Sequence, residues 1–111
     1  MNVANAAREM QNWFARYELG FKDRRITARL WLPSTPGLDK ATTTLETPTH
    51  VASLTAWGNG TVEFAVIDTE TKADVISRDN EYATAAELLE ILDGCVRDFE
   101  RLVDIASSKR R

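Results

Sequence analysis

The chain has 111 residues, 43% of them hydrophobic and 28% charged, with a formal net charge of −3. That length suits one domain burying roughly two-thirds of its unfolded surface, and the composition excludes a disordered or low-complexity chain. No run approaches the roughly 18 apolar residues of a membrane span, the start MNVANAAREMQNW lacks the basic and apolar regions of a secretory signal, and the single Cys95 excludes an internal disulfide.

A cytoplasmic protein is therefore expected, and its elements follow in chain order. Val3, Ala6, Ala7, Met10, Trp13, Phe14 and Tyr17 recur at three- and four-residue steps, which predicts an amphipathic helix. Gly20 is its expected C-terminal stop, because glycine enters the left-handed conformation without penalty. From Arg25 to Leu32 the period changes to two. Ile26, Ala28, Leu30 and Leu32 point one way, and Thr27, Arg29 and Trp31 the other, until Pro33 ends the strand. The polar stretch Ser34 to Pro48 carries two more prolines, Gly37 and the run Thr42-Thr43-Thr44. Its length suggests a mobile or functional loop, or else an exposed hairpin extension.

Thr49 to Trp57 and Thr61 to Asp68 predict a β-hairpin around Gly58-Asn59-Gly60, residues that tolerate the positive φ of tight turns. Asp68-Thr69-Glu70-Thr71 reads as a second turn and Ala73 to about Ser77 as a fourth strand. Thr84-Ala85-Ala86-Glu87 has the spacing of a capping box, in which hydroxyl and carboxylate each take the other's amide. After it Leu88, Ile91, Leu92, Cys95, Phe99, Leu102, Val103 and Ala106 keep helical spacing. Gly94 within that run suggests close packing or a slight bend, and residues 106–111 read as a frayed, basic tail. The order helix, four strands, helix predicts a single α+β domain of two layers, with a four-stranded antiparallel meander sheet. Helices covering one sheet face would leave the other for a partner.

Charge divides the chain. Residues 1–45 hold seven Lys or Arg and four Asp or Glu, whereas Glu63 to Asp104 hold twelve acids and four bases. The acidic half repels phosphate backbones and disfavours nucleic acid. It suits a basic protein partner, or it is a solvated acidic helix face.

Catalytic chemistry finds little support. His50 is the only histidine and has no serine or cysteine motif around it. Cys95 lies on the apolar stripe of the last helix, where a thiol is buried and unreactive. Gly58-Asn59-Gly60 precedes a strand, whereas nucleotide-binding glycine loops open a helix. Asp74, Asp79 and Glu81 do not match a calcium-loop spacing. No cofactor, metal or catalytic residue is expected, and the remaining lead is aromatic. Trp31 sits on the polar side of its strand and Trp57 ends a strand beside a turn; exposed tryptophans are strong interface anchors, unless both are tucked under a helix or the long loop.

The stretch VASLTAWGNGTVEFAVIDTETKADVISRDNEYATAAELLEILDGCVRDF resembles the TriTu-type immunity proteins that accompany Rhs polymorphic toxins carrying an ADP-ribosyltransferase warhead. The likeness lies in a strand ending in tryptophan, a glycine turn, an apolar strand closing in I-D-x-E-T, a short strand, then Tyr82 and a capped acidic helix. The W-F-x-x-Y helix near the start is compatible with it. The resemblance implies a non-catalytic protein that binds its cognate toxin in the cytoplasm and occludes the NAD pocket or the surface receiving the toxin's target. It transfers no site residues. The contact candidates come from the residues themselves: Trp31, Trp57, Glu63, Asp68, Glu70, Asp74, Asp79 and Glu81. A different class, the acidic secretion chaperone holding an effector segment, shares the size, charge and fold class but needs an apolar self-association surface. An enzyme would require Glu63, His50 and another acid to converge in one pocket.

Overall fold

A computed structural model describes residues 5–34 and 37–109. Helix α1 spans Ala6–Asp23. Asn5 caps it, its side-chain oxygen accepting the Arg8 amide at 3.1 Å; Val3, expected on the same stripe, lies outside the described residues. Ala6, Met10, Trp13, Phe14 and Phe21 form the buried stripe. Gly20 is not the stop. The helix runs three residues further, and Arg25, at φ 60°, takes the left-handed position. The Ile26 amide then donates to the Phe21 carbonyl at 2.8 Å and the Arg25 amide to Lys22 at 3.0 Å, the double closure of a Schellman motif. Burial of both Phe21 and Ile26 outweighs the strain of a non-glycine left-handed residue.

Five strands follow, not four: β1 Thr27–Trp31, β2 Lys40–Glu46, β3 His50–Trp57, β4 Thr61–Asp68 and β5 Asp74–Glu81. They form one antiparallel meander in sequence order. The missed strand is β2, inside the stretch expected to be a loop or an exposed extension. It pairs with β1 and β3 alike, and Ala41, Thr43 and Leu45 alternate into the core. Three successive threonines hid that alternation, although a β-branched run suits a pleated strand. Strand β5 also outruns its expected end at Ser77, because pairing with β4 continues to Thr61–Glu81.

The β3–β4 turn is as the sequence predicts, with Gly60 at φ 100°. In the β4–β5 turn the Asp68 carboxylate accepts the amides of Glu70 (2.8 Å) and Thr71 (3.1 Å), while Lys72 takes φ 63°.

Helix α2 spans Ala85–Lys109, continuous through the residues expected to fray as far as 109. Its capping box forms as predicted: Glu87 donates its amide to Thr84 Oγ1 at 3.1 Å and accepts the Thr84 amide at 3.1 Å. Gly94 does not mark a close approach, since a β-carbon there would meet only the Arg97 guanidinium at 3.6 Å.

Both helices lie on one side of the sheet, α1 against β1–β3 and α2 against β3 and β4. Between the layers Trp13, Phe21, Phe64 and Phe99 are fully buried with Leu45, Leu54, Leu88 and Leu92. One carboxylate ties the helices together. Asp93 Oδ1 accepts the Trp13 indole N–H at 3.0 Å and the Tyr17 hydroxyl at 2.7 Å. That hydrogen bond, with burial second, holds the Tyr17 phenol above its ordinary range. The W-F-x-x-Y spacing thus puts two donors one helical turn apart on a shared acceptor.

Candidate functional site

The sheet face away from the helices carries every second residue of each strand, and the register sorts these into rows. One runs Trp31, Thr42, Thr55, Glu63, Asp79 from β1 to β5. The next, toward the β3–β4 turn, runs Lys40, Trp57, Thr61, Glu81. On the opposite side lies Arg29, Thr44, Ser53, Ala65, Ser77, followed by Thr27, Glu46, Val51, Ile67, Asp74. Six of the eight residues singled out in the sequence therefore share this face. Asp68 and Glu70 stand apart at the β4–β5 turn, where Asp68 shapes the backbone.

The two tryptophans differ. Trp31 is 53% exposed on the edge strand, its indole N–H donating to Thr44 Oγ1 at 3.3 Å. Trp57 is half-buried and held on both sides: Lys40 Nζ lies 4.4 Å from its ring centre, and its indole N–H donates to Glu63. Cation, ring and carboxylate form one preorganised unit across β2, β3 and β4. Trp31 is the more exposed ring, and Trp57 is held in place from two sides.

Beside Trp31 the chain exposes Leu32 and Leu38, 47% and 45% accessible. With Pro33, Lys40 and Thr42 they line a depression of about 230 Å³. A second, of about 190 Å³, lies at the other end of the Trp31 row, bounded by Glu63 and Asp79 with Ser53, Ala65 and Ser77 among its lining residues. The middle of the face is lined with hydroxyls, and Thr42 and Thr55 bond to each other at 2.9 Å.

Asp39 fixes the apolar corner. Its carboxylate oxygens accept the Ala6 and Ala7 amides, each at 2.9 Å, and its carbonyl accepts the Gly58 amide at 2.8 Å. Leu38 and Lys40 are thereby anchored to the start of α1 and to the β3–β4 turn. Gly58 must lack a side chain, because a β-carbon would fall 2.3 Å from Asp39 Oδ2.

Sequence reasoning places Arg29 on the side of Trp31 but misses Leu38 and Lys40, and it turns Leu32 to the side of Ala28 and Leu30, whereas Leu32 lies past the end of β1 and is exposed. The signal was present for Lys40, whose parity within Lys40–Glu46 opposes that of Ala41, Thr43 and Leu45, but it is readable only once β2 is known to be a strand.

Glu63 and His50 do not converge in one pocket. His50 is buried at the helix-covered end of β3, its Nδ1 2.9 Å from Thr49 Oγ1, while Glu63 faces the open side. Burial pushes the Cys95 thiol above its usual range. Asp74 and Glu81 stand at opposite ends of β5, roughly 23 Å apart at strand rise. Among the described residues no three His, Cys, Asp or Glu side chains are grouped to hold a metal ion, and no helix is long and apolar enough to cross a membrane.

These features define a two-layer α+β domain whose antiparallel meander is covered by helices on one side and open, with aromatic and charged residues, on the other. The chain belongs to the TriTu immunity protein family: the model described as Immunity protein TriTu matches residues 8–98. The match takes in all five strands and every residue of the open face. No curated protein matches the chain.

Proposed function

We propose that this protein neutralises a cognate toxin by binding it across the open sheet face and covering the surface the toxin needs. Family membership supplies the toxin as partner. The observation that carries the choice of surface is Trp31, a large aromatic 53% exposed in the same register row as Glu63 and Asp79.

Area supports this choice. Five strands of up to eight residues present roughly 600 Å² in projection, and a standard interface takes roughly 800 Å² from each partner. The face together with the Leu32–Leu38 corner reaches that range. The toxin in this reading is the ADP-ribosyltransferase domain of a polymorphic toxin, met in the cytoplasm. Inhibition is steric, by occlusion of its NAD pocket or of the surface receiving its target. The protein contributes no chemistry; its acidic β4–β5 half attracts a basic toxin surface.

The test is titration calorimetry of the purified protein against the ADP-ribosyltransferase domain of its cognate toxin, at two salt concentrations. Binding that weakens with salt, together with loss of ADP-ribosylation in the complex, is the expected result. No heat of binding at micromolar concentration overturns it.

A further inference from the structure

Resting on that reading, we propose that the open face is divided in function: its apolar corner at Trp31, Leu32 and Leu38 holds an apolar protrusion of the toxin and sets how long the complex lasts, while the β4–β5 half draws in basic residues beside that protrusion and sets how fast it forms. The partner surface this fits carries an exposed aliphatic or aromatic side chain with lysine or arginine roughly 15–20 Å to one side, the span of three or four interstrand steps.

The corner meets the requirements of an anchor. Three large apolar side chains, each about half exposed, surround one depression. The backbone at Leu38 is pinned through Asp39 to α1 and to Gly58, so that side of the corner has little order to gain on binding. Burial of such a cluster is reversed only by re-exposing it to water, which acts on the dissociation rate.

The other half is electrostatically unbalanced. Glu63 stands directly across from Asp79, a like-charge pair that costs sheet stability. Glu63 is engaged by the Trp57 indole beneath Lys40. Arg78, the base on β5, turns to the helix side, where it donates to Asp98 at 2.6 Å and lies over the Phe64 ring. It therefore neutralises none of the face. Asp74, Asp79 and Glu81 on β5 are the acids left to meet a partner, and the face carries one further acid, Glu46, on β2. The bases of this face, Arg29 and Lys40, are on β1 and β2. The two ends are separated by more than the Debye length of about 8 Å at physiological salt, so an approaching protein meets two distinct fields and one orientation is favoured.

The experiment measures association and dissociation rates of the same toxin domain on wild-type protein and on variants whose folding is verified by thermal melts. Trp31→Ala, and independently Leu38→Ser, are expected to speed dissociation at least about tenfold while association stays within about twofold. The double variant Asp79→Asn with Glu81→Gln is expected to slow association about tenfold at low salt, a difference that closes as salt rises, with dissociation within about threefold. If wild type binds but Trp31→Ala dissociates at the wild-type rate, or the acid-depleted protein associates at the wild-type rate, the division is overturned while the proposed function stands. If wild type does not bind, both fall. A free protein that is a dimer dissolved by Trp31→Ala would assign the corner to a second copy and overturn the inference.

Discussion

The two faces of this one sheet are built from alternate residues of the same strands, yet they obey opposite rules. On the covered face Ala52, Leu54, Ala56, Val62, Phe64 and Val66 are all at or near zero exposure, with the polar Thr43 buried among them. On the open face the same strands carry Ser53, Thr55, Trp57, Thr61, Glu63 and Ala65. Register is fixed by the first set, because a slip of one residue would turn every core side chain to water. The second set is thereby released from holding the fold. It can tolerate an unfavourable pair such as Glu63 opposite Asp79 and an exposed tryptophan. In the function proposed above, stability and recognition are separated by parity within a strand and not by position along the chain.

The contrast is broken or sharpened most strongly by matched truncations. Phe64→Ala removes a 1% exposed ring between the layers and is expected to cost about 3–5 kcal/mol. Trp31→Ala removes a larger side chain from the other face and is expected to cost less than about 1 kcal/mol of stability while weakening toxin binding. Urea denaturation midpoints of the two proteins check this. Comparable losses of stability in both would mean that the open face also holds the fold.

A smaller effect is expected where the covered side is polar. Asp93→Ala strips the acceptor from the buried Trp13 indole and from Tyr17, at an expected cost of about 2 kcal/mol. The pH dependence has a definite sign. Because the folded state raises the Tyr17 pKa above its ordinary 10.0, the unfolded chain loses that proton first. The contribution is complete below pH 10.0 and declines as pH rises through the folded value. The stability gap between wild type and Asp93→Ala is therefore expected to narrow above pH 10, measured by denaturation at pH 8 and at alkaline pH. A gap constant over that range would show that the tyrosine hydroxyl does not carry the contribution.

Much of this contrast was legible in the sequence, and the remainder was hidden for identifiable reasons. The alternation of Ala28 and Leu30 against Arg29 and Trp31, the β3–β4 hairpin and the capping box at Thr84 are local patterns, readable wherever the chain supplies its own contrast between polar and apolar. The end of α1 is misplaced in the sequence reading because glycine is the usual left-handed residue, whereas here Arg25 adopts that conformation within the Phe21–Ile26 hydrogen-bonded closure. Strand β2 was hidden because threonine serves both faces. Without β2 the parities of β1 and β3 cannot be aligned across the sheet, so the row joining Trp31 to Asp79 is invisible although Trp31, Glu63 and Asp79 are each candidates by themselves. Leu38 became part of the site only through Asp39, whose partners Ala6 and Gly58 lie 33 and 19 positions away in the chain.

The threonine run offers the finest test of the comparison, because one residue type occupies both faces in succession. Thr43 is fully buried, and its hydroxyl has no hydrogen-bond partner among the described residues. Thr44, next to it, faces outward and accepts from Trp31. A buried hydroxyl without a partner forfeits its hydration and regains nothing, so Thr43→Val, close in shape, is expected to stabilise the fold by about 1 kcal/mol. Thr44→Val is expected to change stability by less than about 0.5 kcal/mol, since water replaces what the hydroxyl gives up. Thermal or urea unfolding of the two single variants distinguishes them. A destabilised Thr43→Val would mean that the hydroxyl finds an acceptor in the core, and the covered face would then hold a polar interaction of its own.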